Sequence, residues 1–181
     1  MPKIINIAGQ ARHGKTSVAE ILKEVLENRG KRVLIKNYAD YLKFICKEYF
    51  GWDGTKSAEG RTILQVKGTN IVRKKNPDFW VREVGNFIDV FGDDFDFIIA
   101  SDCRFRNEAE YFEGKYPVFN IKVIRADFDN GLTPEQKNHP SERDLDNFCF
   151  DYILASESGL DNLEQSVSWL VQTLDDVQFI D

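Results

Sequence analysis

Histidine, cysteine and methionine are scarce in this 181-residue chain, which has two, three and one of them. Cys46, Cys103 and Cys149 are too few to close a disulfide set and lack metal-ligand spacing. A disulfide scaffold and a zinc module are thereby excluded, and the three read as small core residues of a reducing compartment. No apolar run approaches the ~18 residues of a membrane span, and the first residues are too short and too strand-like for a signal peptide. A soluble cytoplasmic protein without membrane attachment is expected. A basic surplus is missing too: Asp and Glu number 30 against 24 Lys and Arg, giving net charge −6 and pI near 5.1. Polymeric nucleic acid is therefore an unexpected partner, and an anionic ligand must be held by local cations. There is no repeat, low-complexity stretch or linker, and no guanine-reading Asn-Lys-x-Asp, which speaks against a GTPase. With 42% hydrophobic residues, the chain 1–181 is expected to form a single domain with a real core.

What the chain does have is one complete G-x-x-x-x-G-K-[ST] phosphate-binding loop, Gly9-Gln-Ala-Arg12-His13-Gly14-Lys15-Thr16, followed by Ser17. Lys3–Ala8 before it is a short apolar run that reads as a buried strand. Val18, Ile21, Leu22, Val25 and Leu26 after it recur at helical spacing. A strand and a helix on either side are the context this motif needs to carry meaning. The glycines let backbone N–H groups converge on one concavity, and the helix adds its positive end. Lys15 can reach the β and γ phosphates of a triphosphate, and the Thr16 hydroxyl is placed to ligate Mg²⁺. Gly9, Arg12, His13, Gly14, Lys15, Thr16 and Ser17 form the expected nucleotide contact, with ATP and Mg²⁺ as the expected cofactors.

Apolar runs at residues 3–8, 32–37, 96–101, 118–125 and 150–155 predict five strands. Helical patterns cover 15–28, a longer region from about 40 to 91, 105–113 and 159–174, with Gly30 closing the first. The alternation predicts an α/β fold: a three-layer, five-stranded parallel sheet with helices on both faces. Ligands of such sheets bind at the carboxyl ends of the strands. Two connections exceed what a crossover needs, a helical insert at about 38–91 and a polar segment at about 126–149. Insertions of this kind are often substrate-binding elements or lids.

Phosphoryl transfer needs a clamp on the donor, a metal on the bridging oxygens, and cations that hold the acceptor in line. Phe95–Asp102 is an apolar strand ending in an aspartate, which makes Asp102 the second candidate metal ligand beside Thr16, although a turn aspartate would look the same. Arg104 and Arg106 follow; Arg104 reads as a contact to the transferring phosphate. Arg106 reads equally as a phosphate contact and as an i,i+4 surface partner of Glu110.

Further segments carry a family resemblance: Tyr38-Ala-Asp40-Tyr-Leu-Lys43, Gly60-Arg61-Thr-Ile-Leu64-Gln65-Val-Lys-Gly68-Thr69 with Arg73, and Phe79-Trp80-Val81. With Ser101-Asp102-Cys-Arg104-Phe-Arg-Asn-Glu108 and His139-Pro-Ser141-Glu142 they resemble, in order and spacing, the phage-type deoxynucleoside monophosphate kinases over residues 3 to about 165. The resemblance implies a phosphate-loop kinase fold and ATP- and Mg²⁺-dependent phosphorylation of a deoxynucleoside monophosphate. It also implies a host-cell cytoplasmic location if the source is viral. Carried residue by residue, it puts Asp40, Lys43, Gln65, Thr69 and Trp80 in the acceptor pocket, Arg61 or Arg73 on the acceptor phosphate, and Lys15, Asp102 and Arg104 at the reaction centre. Family members often have Asp where this chain has Thr16, and Glu where it has Asn70; the second difference leaves the preferred base open. Small-molecule nucleotides are the expected partners, and a homodimer is compatible with the chain. Other small-molecule kinases of phosphomevalonate or dephospho-coenzyme A kinase type, or a non-catalytic ATP-binding module, are the alternatives.

Several residues carry a plainer reading. His13 reads as a surface group, and Ser141-Glu-Arg-Asp144 as a helix-start capping box. Arg125 and Arg143 read equally as donor-phosphate contacts and as partners of Asp127, Asp144 or Asp146. The Gly92–Asp96 run reads as a solvated turn. Trp169 reads as core beside Leu163, Val167, Leu170 and Leu174. Trp80 reads as either helix packing or base stacking.

Overall fold

The structure, a computed structural model, describes residues 1–55, 57–126, 128–157 and 159–180. Five strands form one parallel sheet: β1 (Lys3–Ala8), β2 (Val33–Ile35), β3 (Phe97–Cys103), β4 (Val118–Arg125) and β5 (Tyr152–Ser156). Their spatial order is β2-β3-β1-β4-β5, with Ile5 paired to both Ile99 and Phe119 across the centre. Central parallel strands are covered on both faces, so they read as unbroken apolar runs rather than as alternating ones. In β1 every residue after Lys3 is buried.

On one face lie α1 (Lys15–Asn28) and α8 (Leu160–Asp176). Val18, Leu22 and Leu26 of the first pack with Val167, Leu170 and Leu174 of the last over Ile5, Ile7 and Ile121. On the other face lie α4 (Phe79–Phe91) and α5 (Arg106–Glu110), whose Val81, Val84, Ile88 and Ala109 cover Ile4, Ile98 and Ala100. The expected three-layer α/β architecture is therefore present. Gly30 closes α1 as anticipated, its N–H donated to Glu27 O.

The insert between β2 and β3 contains α2 (Asp40–Tyr49), α3 (Ala58–Gln65), a π-helical stretch (Val66–Arg73) and α4. It has a small core of its own in Leu42, Cys46, Trp52 and Trp80. Gly68 sits where the π stretch crosses α2, and a Cβ there would fall 2.6 Å from Leu42 Cδ2. The β4–β5 connection carries two single-turn helices, α6 (Pro134–Lys137) and α7 (Pro140–Arg143).

Some expectations shift. The helix expected at 105–113 is regular only over Arg106–Glu110. Trp169 is 59% exposed and is not core. It stands two residues from Val167 and one from Leu170, so it points away from the i, i+3, i+4 stripe that α8 buries. The helix start near Ser141 is capped by His139, whose Nδ1 accepts the Ser141 N–H, while Ser141 lies inside α7. Cys46 and Cys103 are buried as expected, whereas Cys149 is exposed. The turn Gly92–Asp94 is a short 3-10 helix, with Asp93 at the surface. No helix of the described residues is long and apolar enough to cross a membrane.

Candidate functional site

The phosphate-binding loop leaves β1 at Ala8 and enters α1 at Lys15. Its first turn needs glycine twice over. Gly9 has φ +139°, and a Cβ there would lie 2.4 Å from the Val123 carbonyl oxygen of β4. Gly14, with φ 90°, caps α1. Lys15 is nearly buried and curls back, donating to Gly9 O and Gln10 O at 2.8 Å each. Thr16 and Ser17 are exposed at the helix head.

His13 is a joint rather than a free surface group. Its Nδ1 accepts the Arg125 N–H at 3.0 Å, so the ring proton of the neutral imidazole is on Nε2. Burial first, and the nearby Lys15 ammonium second, hold its pKa below the ordinary histidine value. The ring meets Phe128 edge-on, and the Arg125 guanidinium lies 4.0 Å over the same Phe128. Asp127, a partner expected for Arg125, lies outside the described residues.

The β4–β5 connection folds directly onto this loop. Arg12 donates to Asn130 O at 2.9 Å, and buried Asn130 donates to Gln10 Oε1 at 3.2 Å. Glu142 of α7 reaches farther in: its Oε2 accepts the Ala11 N–H at 3.1 Å, and its Oε1 accepts from Arg104 Nη1 at 2.5 Å. The same guanidinium donates to Ser141 O at 3.4 Å. Arg61 of α3 belongs to the same group: burial, then the charges of Arg12 and Arg104, hold its pKa below the usual arginine value, with Glu142 opposing. Arg61 of the insert thus lies within range of Arg12 of the loop and of the Glu142 charge, while Arg104 of the turn after β3 holds this carboxylate directly. A cavity of about 60 Å³ lined by Gly9, Gln10, Arg104 and Glu142 lies on one side of it. A second, of about 190 Å³, lies on the other side between Gln10, Asn130 and Asn138.

Asp102 ends β3 beside the loop, because β3 pairs with β1 through Ala8 and Cys103. Its Oδ1 accepts the Tyr38 N–H at 2.9 Å and its Oδ2 the Ala39 N–H at 3.1 Å. The carboxylate thereby fixes the turn from β2 into α2. Burial raises its pKa, and Lys43 and the two amides pull the other way. Asp40 accepts the Asn37 N–H at 2.9 Å and pairs with Lys43 at 3.2 Å. Gln65 and Thr69 are half-buried along α3 and the π stretch.

Two expected contact residues, Arg73 and Trp80, are held within the framework. Arg73 is held inside the fold by Glu108, by Asn107 Oδ1 at 3.2 Å and by Pro77 O at 3.1 Å, with its guanidinium 3.8 Å over Phe105. Its donors are engaged, so it is a structural tie and not a phosphate grip. Trp80 is 3% exposed and donates its indole N–H to Gly68 O at 3.0 Å, which makes it core and leaves no face for a base. Arg143 is exposed, pairs with Asp146 at 2.5 Å and Asn138 at 3.1 Å, and lines the second cavity together with Gln10 of the loop. Arg106 takes the plain surface pairing with Glu110.

Two residues of this region were quoted from the sequence only as parts of longer motifs. Glu108 accepts the Arg104 N–H at 2.7 Å and the Phe105 N–H at 3.1 Å, and burial pushes its pKa up to about 7 against the pull of Arg73. An acid three residues after the start of a helix is a recognisable signal for that role. Glu142 carries no comparable local signal, since its partners Ala11 and Arg104 are remote in sequence.

No group of three or more metal-ligating side chains exists among the described residues. Mg²⁺ does not need one, since it usually takes one or two protein oxygens and fills its other positions with water and phosphate. A hydroxyl at the helix head and a carboxylate at the end of the neighbouring strand suit it.

No protein-family model and no curated protein matches the chain. Solved structures do. A dephospho-CoA kinase from Campylobacter jejuni superposes with TM-score 0.52 and 13% identity, covering 98% of this chain and 100% of that one. An APS kinase from Mycobacterium tuberculosis, in complex with AMPPNP and APS, gives 0.52 and 11% over 96% and 98%. A sugar kinase from a Janibacter species gives 0.54 and 12% over 99% and 98%. The chain shares with them the three-layer α/β fold, a five-stranded parallel sheet flanked by helices. At these identities the likeness concerns the path of the chain, and the chemistry rests on the residues themselves.

Proposed function

We propose that the protein is a kinase that transfers the γ-phosphoryl group of ATP, with Mg²⁺, to a deoxynucleoside monophosphate. One observation carries the reading: Arg61 of the insert and Arg104 of the turn after β3 join Arg12 and Lys15 of the phosphate-binding loop at one carboxylate-lined site. A protein that merely holds a triphosphate has no use for cations supplied by the β2–β3 insert and the turn after β3. A transferase needs them to neutralise the acceptor phosphate and the group in flight. The acceptor class rests on the sequence resemblance alone, since one fold serves many acceptors.

In this reading the loop amides and Lys15 hold the donor phosphates and Arg104 meets the transferring group. Arg61 holds the acceptor phosphate, and Asp40, Lys43, Gln65 and Thr69 line the acceptor side. Thr16 and Asp102 would hold Mg²⁺, which supplies positive charge to the bridging oxygens. The acceptor oxygen is already anionic near neutral pH, so no side chain has to act as general base. Catalysis comes from alignment and from charge placed before the reaction begins. The β4–β5 connection acts as the lid and Asp102 holds the β2–α2 turn. ADP formation from ATP-Mg²⁺ with separate deoxy- and ribonucleoside monophosphates is the test. Turnover with one or a few acceptors supports the reading and names the base; intact ATP binding without turnover on any of them sinks it.

A further inference from the structure

We propose that Glu142 is an internal competitor of phosphate: its carboxylate occupies an anion position on the loop, and nucleotide must displace it. This rests on the function proposed above. The observations are geometric. The Ala11 amide belongs to the loop whose N–H groups cradle phosphate, and the Glu142 carboxylate accepts it at 3.1 Å. The same carboxylate accepts from Arg104 at 2.5 Å. Its side chain is only 9% exposed, and Arg61 and His13 both feel its charge. A carboxylate that accepts from a loop amide and a guanidinium presents to both the oxygen geometry and the charge of a phosphoryl group.

The rest of the lid is anchored independently. Arg12 holds Asn130 O, Asn130 holds Gln10, and the Arg106 N–H is accepted by Asp144 Oδ2 at 2.7 Å. Glu142 can therefore swing out on a local movement of the single-turn helix α7, without release of the whole connection. Its departure frees the Ala11 amide and Arg104 together, and a phosphoryl group takes over both. Like charges cannot share this space, so Glu142 and the phosphate exclude each other. The consequence is a site whose cations are satisfied by the chain itself before nucleotide arrives, and an apparent affinity reduced by the fraction of molecules in which Glu142 is docked.

The test uses the full chain and inorganic tripolyphosphate, which engages the loop without base or acceptor. Calorimetry would compare the wild type with Glu142→Gln, and hydrogen exchange would follow the Ala11 amide. The expected result is roughly tenfold tighter tripolyphosphate binding by Glu142→Gln, as removal of a well-populated competitor predicts. Faster exchange at Ala11 in the ligand-free variant is expected with it. Glu142→Ala should behave alike and guards against an amide that keeps the docked pose. Unchanged or weaker binding in both variants would overturn the proposal, as would binding by none of the three proteins. The kinase reading stands or falls separately, on acceptor-dependent ADP formation by the wild type.

Discussion

Arg73 and Glu108 form an ion pair within the fold, 10% and 4% exposed, that joins the π-helical stretch of the insert to α5. The Glu108 carboxylate also accepts the Arg104 and Phe105 amides. The pair therefore sets where the backbone of Arg104 lies, and through it where the guanidinium that meets Glu142 begins.

Arg73→Met should break this arrangement in a pH-dependent way. Removing one partner of a buried pair leaves a charge uncompensated and costs about 3–5 kcal/mol. Burial raises the Glu108 pKa to about 7 from the ordinary glutamate value of 4.5. The stabilisation linked to that raised value is fully present below about 4.5 and is lost as pH rises through 7. Without Arg73 the value climbs further, so the variant should be much weaker than wild type at pH 8 and closer to it at pH 5.5. Urea unfolding at both pH values checks this, and an equal loss at each would show that Glu108 does not carry the effect.

Lys15→Ala should lower phosphoryl transfer by several orders of magnitude, because in the proposed reaction the transition-state charge loses the loop's own cation. The fold should persist, since the hydrogen bonds that Lys15 donates to Gly9 O and Gln10 O stay within the loop. Single-turnover ADP formation alongside far-UV circular dichroism measures both. Activity near wild type would remove the loop from the mechanism.

Gly9→Ala should disable the protein through its backbone. The new Cβ would meet Val123 O at 2.4 Å and require φ +139°, a conformation L-residues rarely adopt. A loss of at least about 2 kcal/mol is expected, together with lost nucleotide binding. Thermal unfolding with and without ATP-Mg²⁺ reads the two effects separately.

Trp80→Phe separates packing from base recognition. The ring volume is largely kept, while Gly68 O loses its indole donor, for a cost of about 1–2 kcal/mol. The apparent Michaelis constant for the acceptor should change little. A large rise at unchanged stability would return Trp80 to the acceptor pocket.

Much of the fold is written locally. The runs Ile4–Ala8 and Phe97–Ala100 declare buried parallel strands because both faces are covered and no polar alternation is required. The glycines and lysine of residues 9–15 declare their loop because its backbone geometry depends on which residues lack a Cβ. Trp169 was less legible: a large aromatic in an apolar helix suggests core, and only its phase within α8 places it outside.

The sequence by itself determined the strands, the phosphate loop and the cations that could serve it, since each is encoded within a few consecutive residues. The tertiary structure alone decided which of those cations reach the loop. Arg61, Arg73, Arg104 and Arg143 are chemically equivalent as letters. Glu108 holds Arg73 in the framework and Asp146 holds Arg143 at the surface, while Arg61 and Arg104 stand by Glu142. For Arg73 and Arg104 that division depends on partners 35 and 38 residues away in sequence, brought close by the crossovers of the sheet. Hydrogen bonds and ion pairs act over a few ångströms of space, so the i,i+3 pair of Arg143 is legible locally while the partners of Arg61, Arg73 and Arg104 are not.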